Sequence, residues 1–594
     1  MTNRASRWLP TIVIACMAIV SAIGIGHAAG EAKVPVEILE LDNGMKFLLV
    51  PRTDKTTVAA GWVAHVGSAN ERPGITGISH LFEHMLFKGT TTIGTTDIER
   101  DLEIIEEQER LQEQIRLIYR DQRERWRRGE IEDPFAPENR TEEQIKLEEQ
   151  FQALVEEQRS IMIKDEFDKI YTKAGATGMN AGTTNDLTLY FITVPANKLE
   201  LWFWMESDRL SSPVMREFYS ERDVVYEERR LRTESTPTGE FDEQFESMFW
   251  QSHPYNWPVV GWPSDLRVIS KQEADEYFST YYAANNLTAA LVGNFDVNEV
   301  KKLANKYFGR LPNRGAKAPD VVTLEMEQKA EKRMQAECDC QPQVEVRYHT
   351  VPFMHADSYA LDVLAGLLNG RTGRLYKSMV LDSEIAASAF AGQDSRKYGG
   401  AFSFGAQTKG DATPQQLEDG WYAQLRKIVE EPIPAEELQK VKNGIAADAY
   451  RNLENPFFLA LQLMFYDGLG DWEYMNVWSD LTLAVTAEDV KRVAEKYFAE
   501  DNRAVAQYYR KAGSGGDEEF PELAELEPEL QGPLRQQLKQ LKSMGDPEQL
   551  TTILGQIEQQ KTQAPPPMAR AFEIMESYIR ARIEELRSEE GSEQ

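Results

Sequence analysis

Two segments far apart in this chain carry one pattern. VNEVKKLANKYFGRLPN, starting at Val297, and AEDVKRVAEKYFAEDNR, starting at Ala487, each read as an amphipathic helix ending in Lys-Tyr-Phe. An internal echo of this kind implies two copies of one structural unit. The first copy closes residues 34–313 and the second about 340–510. A chain of 594 residues is too long for one ordinary domain, so this division is expected on length alone. With 41% hydrophobic and 27% charged residues the composition is globular, which excludes a collagen, a disordered chain or a bundle of membrane helices.

Within the first copy, VEILELDNGMKFLLVPR alternates apolar and polar residues about Asp42-Asn43-Gly44, the pattern of a β-hairpin with a tight turn. TTVAAGWVAHVGS reads as a further strand, and GISHLFEHMLFKG has helical spacing and ends at Gly89, a natural C-cap. Residues 97–173 differ in character. A long charged helix with an Ile/Leu stripe is broken by Gly129, Pro134 and Pro137, and Thr141 with Gln144 predicts a capping box for a second helix. These two helices predict an antiparallel hairpin, a solvated arm reaching about 45 Å whose removal is expected to leave the rest of the unit intact. The strand pattern returns in MNAGTTNDLTLYFITV, followed by helices near Asn197–Asp208 and Arg216–Arg232. A linker holding Cys338 and Cys340 separates the copies. From Lys511 an acidic, Gly/Pro-containing linker leads to helical segments interrupted by APPPMAR.

The first 29 residues read as a signal peptide: Arg4 and Arg7, an apolar run from Trp8 to about Ile25, then His27-Ala28-Ala29. The protein is therefore expected to be exported, with the periplasm as its compartment. An uncleaved membrane anchor is the alternative, because the run approaches the ~20 residues that span a bilayer. The expected organisation is 1–29 signal peptide, 30–320 first domain with the 97–173 insert, 321–510 second domain, and 511–594 linker and helical tail. A net charge of −31 makes nucleic acid an unsuitable partner. Only Cys338 and Cys340 survive signal cleavage, and with one residue between them free or loosely paired thiols are expected. A cysteine zinc site would need further ligands nearby, and none is evident.

His80-Leu81-Phe82-Glu83-His84 carries the chemistry. On a helix, positions i, i+3 and i+4 share a face, so His80 and His84 can hold one ion with Glu83 beside it. Imidazole suits zinc, and a catalytic zinc takes three protein ligands and leaves one position for water. Glu83 is placed to take that water's proton. Of the seven histidines in the chain, two stand here at ligand spacing, in an apolar, Gly-punctuated setting.

These residues resemble the pitrilysin/insulinase family of inverted-motif (HxxEH) zinc metallopeptidases, of the bacterial processing-peptidase-like, single-pair type. The resemblance covers roughly residues 34–510 and leaves out the arm and the tail. It implies an α+β fold: two homologous α/β domains, to which this chain adds a helical hairpin arm and a helical C-terminal extension. It also implies a third ligand on a later helix, with a second Glu seven residues before it. SERDVVYEERRLRTESTP places Glu228 and Glu221 at that spacing, two turns apart on one face, so Glu228 is implied as the ligand and Glu221 as an acid that orients the site. Glu227 is the rival for the ligand role. GMNAGTTNDLTLYF resembles the family's substrate-receiving edge strand, with Asn180 and Ala181 the residues to name, and GRTGRLYKSMVLDSEIAASAF resembles the segment supplying Arg374 and Tyr376 near substrate. The family's later Arg and Tyr positions are Val380 and Ala387 here. The implied function is endopeptidase cleavage of peptides or unfolded segments, with one Zn2+ per chain, inside a chamber formed with a second pair. That pairing makes a homodimer, or a heterodimer with a related subunit. A catalytically silent or partner-dependent subunit acting as a binding scaffold is the alternative.

Overall fold

The computed structural model describes residues 33–313, 315–511 and most of 520–592. The expected signal peptide and most of the acidic linker lie outside the described residues. The chain divides into two compact units, one holding the chain up to Ala336 together with Pro342–Tyr508, the other Glu337–Gln341 with Tyr509 onward.

The larger unit holds two sheets. The first is built from β1 (Glu37–Glu40), β2 (Lys46–Pro51), β3 (Thr57–Ala64), β4 (Thr177–Thr183), β5 (Thr188–Pro195) and β6 (Leu287–Gly293), in the order β1-β2-β6-β3-β5-β4. The second comprises β7 (Lys332–Cys338), β8 (Gln343–Thr350), β9 (Ala386–Ser395), β10 (Gly400–Thr408) and β11 (Arg503–Arg510), in the order β7-β11-β8-β10-β9. Setting β1 aside, the two orders are the same topology. Strand β6 takes the place of β11, β3 that of β8, β5 that of β10, and β4 that of β9. The β1–β2 hairpin turns at Asp42-Asn43-Gly44 as its sequence predicts, with Gly44 at φ 85°. Asn43 ties that turn to the end of the first copy by donating to the carbonyls of Phe308 and Leu311.

The copies correspond differently from the sequence echo. Helix Ala487–Tyr497 precedes its strand β11, whereas Val297–Tyr307 follows β6. The positional partner of Ala487–Tyr497 is instead Lys271–Tyr281, which precedes β6. Both carry a capping box, Ser270 with Glu273 and Thr486 with Asp489. Both are followed by a short 3-10 turn whose last residue is an asparagine. Asn286 donates to Tyr281 O at 2.8 Å and Asn502 to Tyr497 O at 2.7 Å. The echo misled because the two Lys-Tyr-Phe helices stand on opposite sides of their strands in the chain, one after β6 and the other before β11.

The central strands β2, β6 and β3 of the first sheet are buried on both faces, as their nearly unbroken apolar sequences require. One face packs on helices through Phe47, Trp62, Trp202, Phe203 and Phe308. The other is covered by helix Pro456–Leu469 of the second copy, where Leu459, Leu463 and Met464 meet Leu48, Val50, Val63 and Val292. Asp467 of that helix is fully buried and pairs with Lys46 and, at 3.3 Å, with His65.

Helix α1 (Ile78–Met85) holds the histidine motif, α2 (Ile98–Arg127) and α3 (Glu142–Ile161) form the insert's hairpin, and α4 (Phe218–Arg229) follows β5 and one further helix. Helix α1 ends at Met85, one turn before Gly89, which takes a left-handed φ of 97° in the loop beyond. Asp97 and Thr141 cap the two hairpin helices. The expected capping box at Thr141 is half formed. Thr141 accepts from Gln144 N, but the Gln144 side chain turns into the hairpin interface and accepts from Gln122.

In the smaller unit, helices Pro528–Ser543, Pro547–Lys561 and Pro566–Ser592 share a core of Leu534, Leu538, Leu550, Ile574 and Ile579. The cysteines depart from expectation. Cys338 ends strand β7 and is disulfide-bonded to Cys340, their Cα atoms 5.2 Å apart. The strand's end turns the chain enough to bring one-spacer cysteines into bridging range.

Candidate metal centre

Helix α1 enters its first turn from Gly77, at φ 91°, and the carboxylate of Glu71 accepts from Gly77 N and Ser79 N, both at 2.8 Å. A carboxylate there satisfies orphan amides and complements the helix dipole. Ile78, Leu81, Phe82 and Met85 anchor the helix in the core. The opposite face then presents His80, Glu83 and His84 towards α4.

Glu228 lies in the last turn of α4. Ligand-type atoms of His80, His84 and Glu228 all lie within 4.8 Å of one another. His80 Nε2 is 3.8 Å from Glu228 Oε1, and His84 Nε2 is 3.3 Å from Glu228 Oε2. Two turns back along α4, Glu221 accepts from His84 Nδ1 at 3.0 Å. That bond fixes which ring nitrogen of His84 faces the cluster. Glu227 points away: its side chain is 59% exposed and pairs with Arg230 at 2.9 Å. Glu83 accepts a 2.6 Å hydrogen bond from Thr183 on the edge strand β4.

The electrostatics of the cluster are set by burial and by the two acids around His84. Burial and the adjacent His84 hold His80 neutral, down to about 3. Burial also opposes a charge on His84, but hydrogen bonds to Glu221 and Glu228 outweigh it and lift that imidazole to about 9. Glu221 and Glu228 are each brought down to about 2 despite burial, chiefly by His84. Burial raises Glu83 above the ordinary carboxylate range. Two imidazoles and a carboxylate, one imidazole oriented by a second acid, are a donor set suited to zinc. His80 Nδ1 is buried without a hydrogen-bond partner among the described residues.

The other sequence-predicted residues are placed as follows. Asn180 and Ala181 lie on β4, which is the terminal strand of its sheet. The Asn180 side chain accepts from Ala181 N at 2.9 Å, and the pairing with β5 shifts register between Thr177 and Asn180. Arg374 is not joined to the cluster by any hydrogen bond or ion pair among the described residues. Its guanidinium is held by Glu437 through bonds of 2.9 and 2.7 Å. Four neighbours escaped the sequence reading: Thr183, Arg232 (2.5 Å from Glu228 Oε1), Lys88 (paired with Glu221) and Arg216. Lys88 stands four residues after His84, so helical spacing was a signal for it. Arg232, four residues after Glu228, carried the same signal, whereas Thr183 and Arg216 have none that survives without the fold.

The family described as Insulinase (Peptidase family M16) matches residues 46–107, and the Peptidase M16 inactive domain matches residues 269–445. The chain belongs to the pitrilysin/insulinase family. The first match contains His80, Glu83 and His84 but stops short of Glu228, whose place rests on the geometry above. Among curated relatives, a zinc protease named PqqE from Helicobacter pylori is 26% identical over 469 residues, spanning 78% of this chain and 90% of that one. A protease from Helicobacter pylori has a crystal structure that matches with a TM-score of 0.66 at 24% identity, covering 80% of this chain and 100% of that one. The periplasmic protease PqqL from Escherichia coli matches with a TM-score of 0.60 at 15% identity, covering 82% of this chain and 49% of that one. The family's two-domain fold is therefore the fold of this chain, and the inactive-domain match agrees with the lack of a histidine-bearing helix in the second copy.

Proposed function

We propose that this protein is a zinc-dependent endopeptidase in which His80, His84 and Glu228 hold one metal ion and Glu83 is the general base. The convergence of those three side chains from α1 and α4, with Glu83 beside them, carries the reading. Zinc bound there would supply Lewis acidity, lowering the pKa of a water and polarising a carbonyl.

The chain's own residues do the rest. Thr183 donates to Glu83 Oε2, leaving Oε1 to take the proton of the attacking water and return it to the leaving amine. Burial makes this carboxylate a better base than an exposed one. Since Thr183 belongs to β4, the base and the free edge of the sheet are fixed to each other. A peptide adding to β4 would hydrogen-bond through its main chain, which favours extended segments over folded ones and tolerates many sequences. Glu221 orients His84 and keeps its Nε2 turned to Glu228.

The site reading extends to one zinc per chain, with Asn180 and Ala181 as main-chain contacts for peptide. Arg374 serves substrate only after leaving Glu437. Assembly with a second copy or a related subunit would enclose a chamber around peptides or unfolded segments. Export to the periplasm follows from the amino-terminal pattern and agrees with the periplasmic description of PqqL. No described helix is long and apolar enough to cross a membrane.

The test is zinc content with cleavage of a quenched mixed-sequence peptide library, comparing wild type with Glu83→Gln. About one zinc in both proteins, with hydrolysis at least ~100-fold lower in the variant, is expected. Zinc without hydrolysis in wild type would instead support the scaffold reading.

A further inference from the structure

The helical insert lies along α4, the helix that carries Glu221 and Glu228, and grips it at both ends. At the near end stands Arg216, two residues before α4 and fully buried. Its Nε donates to Asp101 of α2, which is itself fully buried. Its remaining nitrogens donate to the carbonyls of Lys88 (3.1 Å), Thr90 (2.6 Å) and Ile93 (2.9 Å), all in the loop that leaves α1. Gln158 of α3 donates to the other oxygen of Asp101 at 2.8 Å. One guanidinium thus joins the exit of the histidine helix, the entry of the Glu228 helix and both insert helices.

The next residues are held in turn. Glu217 takes a left-handed φ of 52°, a conformation a non-glycine residue keeps only when its surroundings enforce it. Arg159 of α3 donates to its carboxylate at 2.8 Å, and Lys88 lies 3.5 Å from it. Tyr219 is 4% exposed, donates to Glu109, accepts from Arg116 at 3.0 Å and meets the Phe151 ring edge-on at 5.8 Å. At the far end, Phe135 in the hairpin's tip lies under the Arg267 guanidinium at 4.9 Å. Arg267 in turn donates to Tyr226 OH at 2.6 Å, two residues before Glu228.

We infer that the insert is the positioning brace of the metal centre, setting the distance between the histidine pair and Glu228 through Asp101–Arg216 and the Tyr219 contacts. This reverses the expectation of a detachable arm: without it, Arg216 keeps a buried charge and loses its counter-ion. The residues involved touch neither metal nor substrate and act only through the placement of α1 and α4. The inference rests on the zinc-centre reading above.

The experiment measures zinc dissociation constants on the full chain by competition with a chromophoric chelator. It also records the visible spectrum of the Co2+-substituted protein, which reports ligand geometry without any need for turnover. Asp101→Asn keeps the side chain's shape and removes its charge. About tenfold or greater weakening, with an altered cobalt spectrum and unchanged far-ultraviolet circular dichroism, is expected, the scale on which outer groups tune metal sites. Tyr219→Phe should weaken zinc less and in the same sense. Glu418→Gln is the control: it breaks the pair between buried Glu418 and partly exposed Arg333 in the second copy and should leave zinc affinity unchanged. If Asp101→Asn does not fold, Asp101→Leu with Arg216→Met removes both charges, an exchange buried pairs commonly tolerate, and should show the same loss. Zinc held equally by wild type, Asp101→Asn and Tyr219→Phe, or an equal loss in Glu418→Gln, overturns the inference alone. A wild-type chain that holds no zinc overturns the metal-centre reading and the inference with it.

Discussion

Glu221 offers a prediction whose size can be worked from the geometry. It accepts from His84 Nδ1 at 3.0 Å and its other oxygen pairs with Lys88. Glu221→Gln preserves the shape, and the amide oxygen can still accept from the imidazole. What changes is the charge. A hydrogen bond to a charged group contributes about 1.5–3 kcal/mol, a neutral one about 0.5–1.5 kcal/mol, so the exchange removes roughly 1–1.5 kcal/mol. Lys88 keeps a second partner in Glu217, 3.5 Å away, so little is added by stranding it. At about 1.4 kcal/mol per decade, zinc should bind about tenfold more weakly, with the fold intact. Chelator competition at fixed pH gives the number. Glu227→Gln, on an exposed side chain already paired with Arg230, should change nothing. Wild-type affinity in Glu221→Gln, or a loss in Glu227→Gln, would refute the assignment of α4's two faces.

Thr183→Val removes the hydroxyl that fixes Glu83, and kcat should fall about fivefold, on the order of 1 kcal/mol, with zinc content unchanged. Gly77→Ala should destabilise by about 2 kcal/mol or more in denaturant melts, because a Cβ at this left-handed residue would meet Val260 O at 2.4 Å. Burial lifts Asp362 to about 7, with Trp478 as its one opposing hydrogen bond. An acid raised in the folded state binds more protons there than when unfolded, so its contribution to stability is present at low pH and is lost as pH rises from about 4 to about 7. Asp362→Asn should therefore gain melting temperature over wild type at pH 8 and much less at pH 5; an equal gain at both would refute it.

The sequence made some features plain and hid others for physical reasons. His80, Glu83 and His84 were readable because a single helix turn presents them together. Glu221 and Glu228 were reached through the family resemblance, which supplies their seven-residue spacing; nothing local says that α4 faces α1. The Asn-Gly hairpin was readable because a left-handed turn residue is a local requirement. Hidden were the relations that only folding creates. Strand β6 lies parallel to β2 although more than two hundred residues separate them. Helix Pro456–Leu469 belongs to the second copy yet covers the first sheet, so its apolar face could be seen while its partner could not. Arg216 read as one charged residue among many at a helix start, because its counter-ion Asp101 lies 115 residues away and its other bonds go to backbone carbonyls, which no side-chain pattern reveals. The pairing of the two copies failed on the Lys-Tyr-Phe echo, a feature of helix ends rather than of topological position.

The seam of the hairpin insert has a consequence for how the chain behaves before it is folded. Alongside Ile104, Ile115 and Val155, the seam buries Gln108, Gln112, Gln122, Gln144 and Gln158. Amide meets amide across it, Gln108 to Gln158 and Gln122 to Gln144, each at 3.2 Å. An aliphatic seam slides and accepts strangers, because one methyl group replaces another at small penalty. An amide seam closes only in one register, since a slip of one helical turn leaves buried amides unbonded, at about 1–3 kcal/mol for each. Helices of this kind have little affinity for each other until that register is found, and little for the same helices in a neighbouring chain. A nascent copy of this protein can therefore carry two long, exposed, highly charged helices through folding without exchanging them with its neighbours.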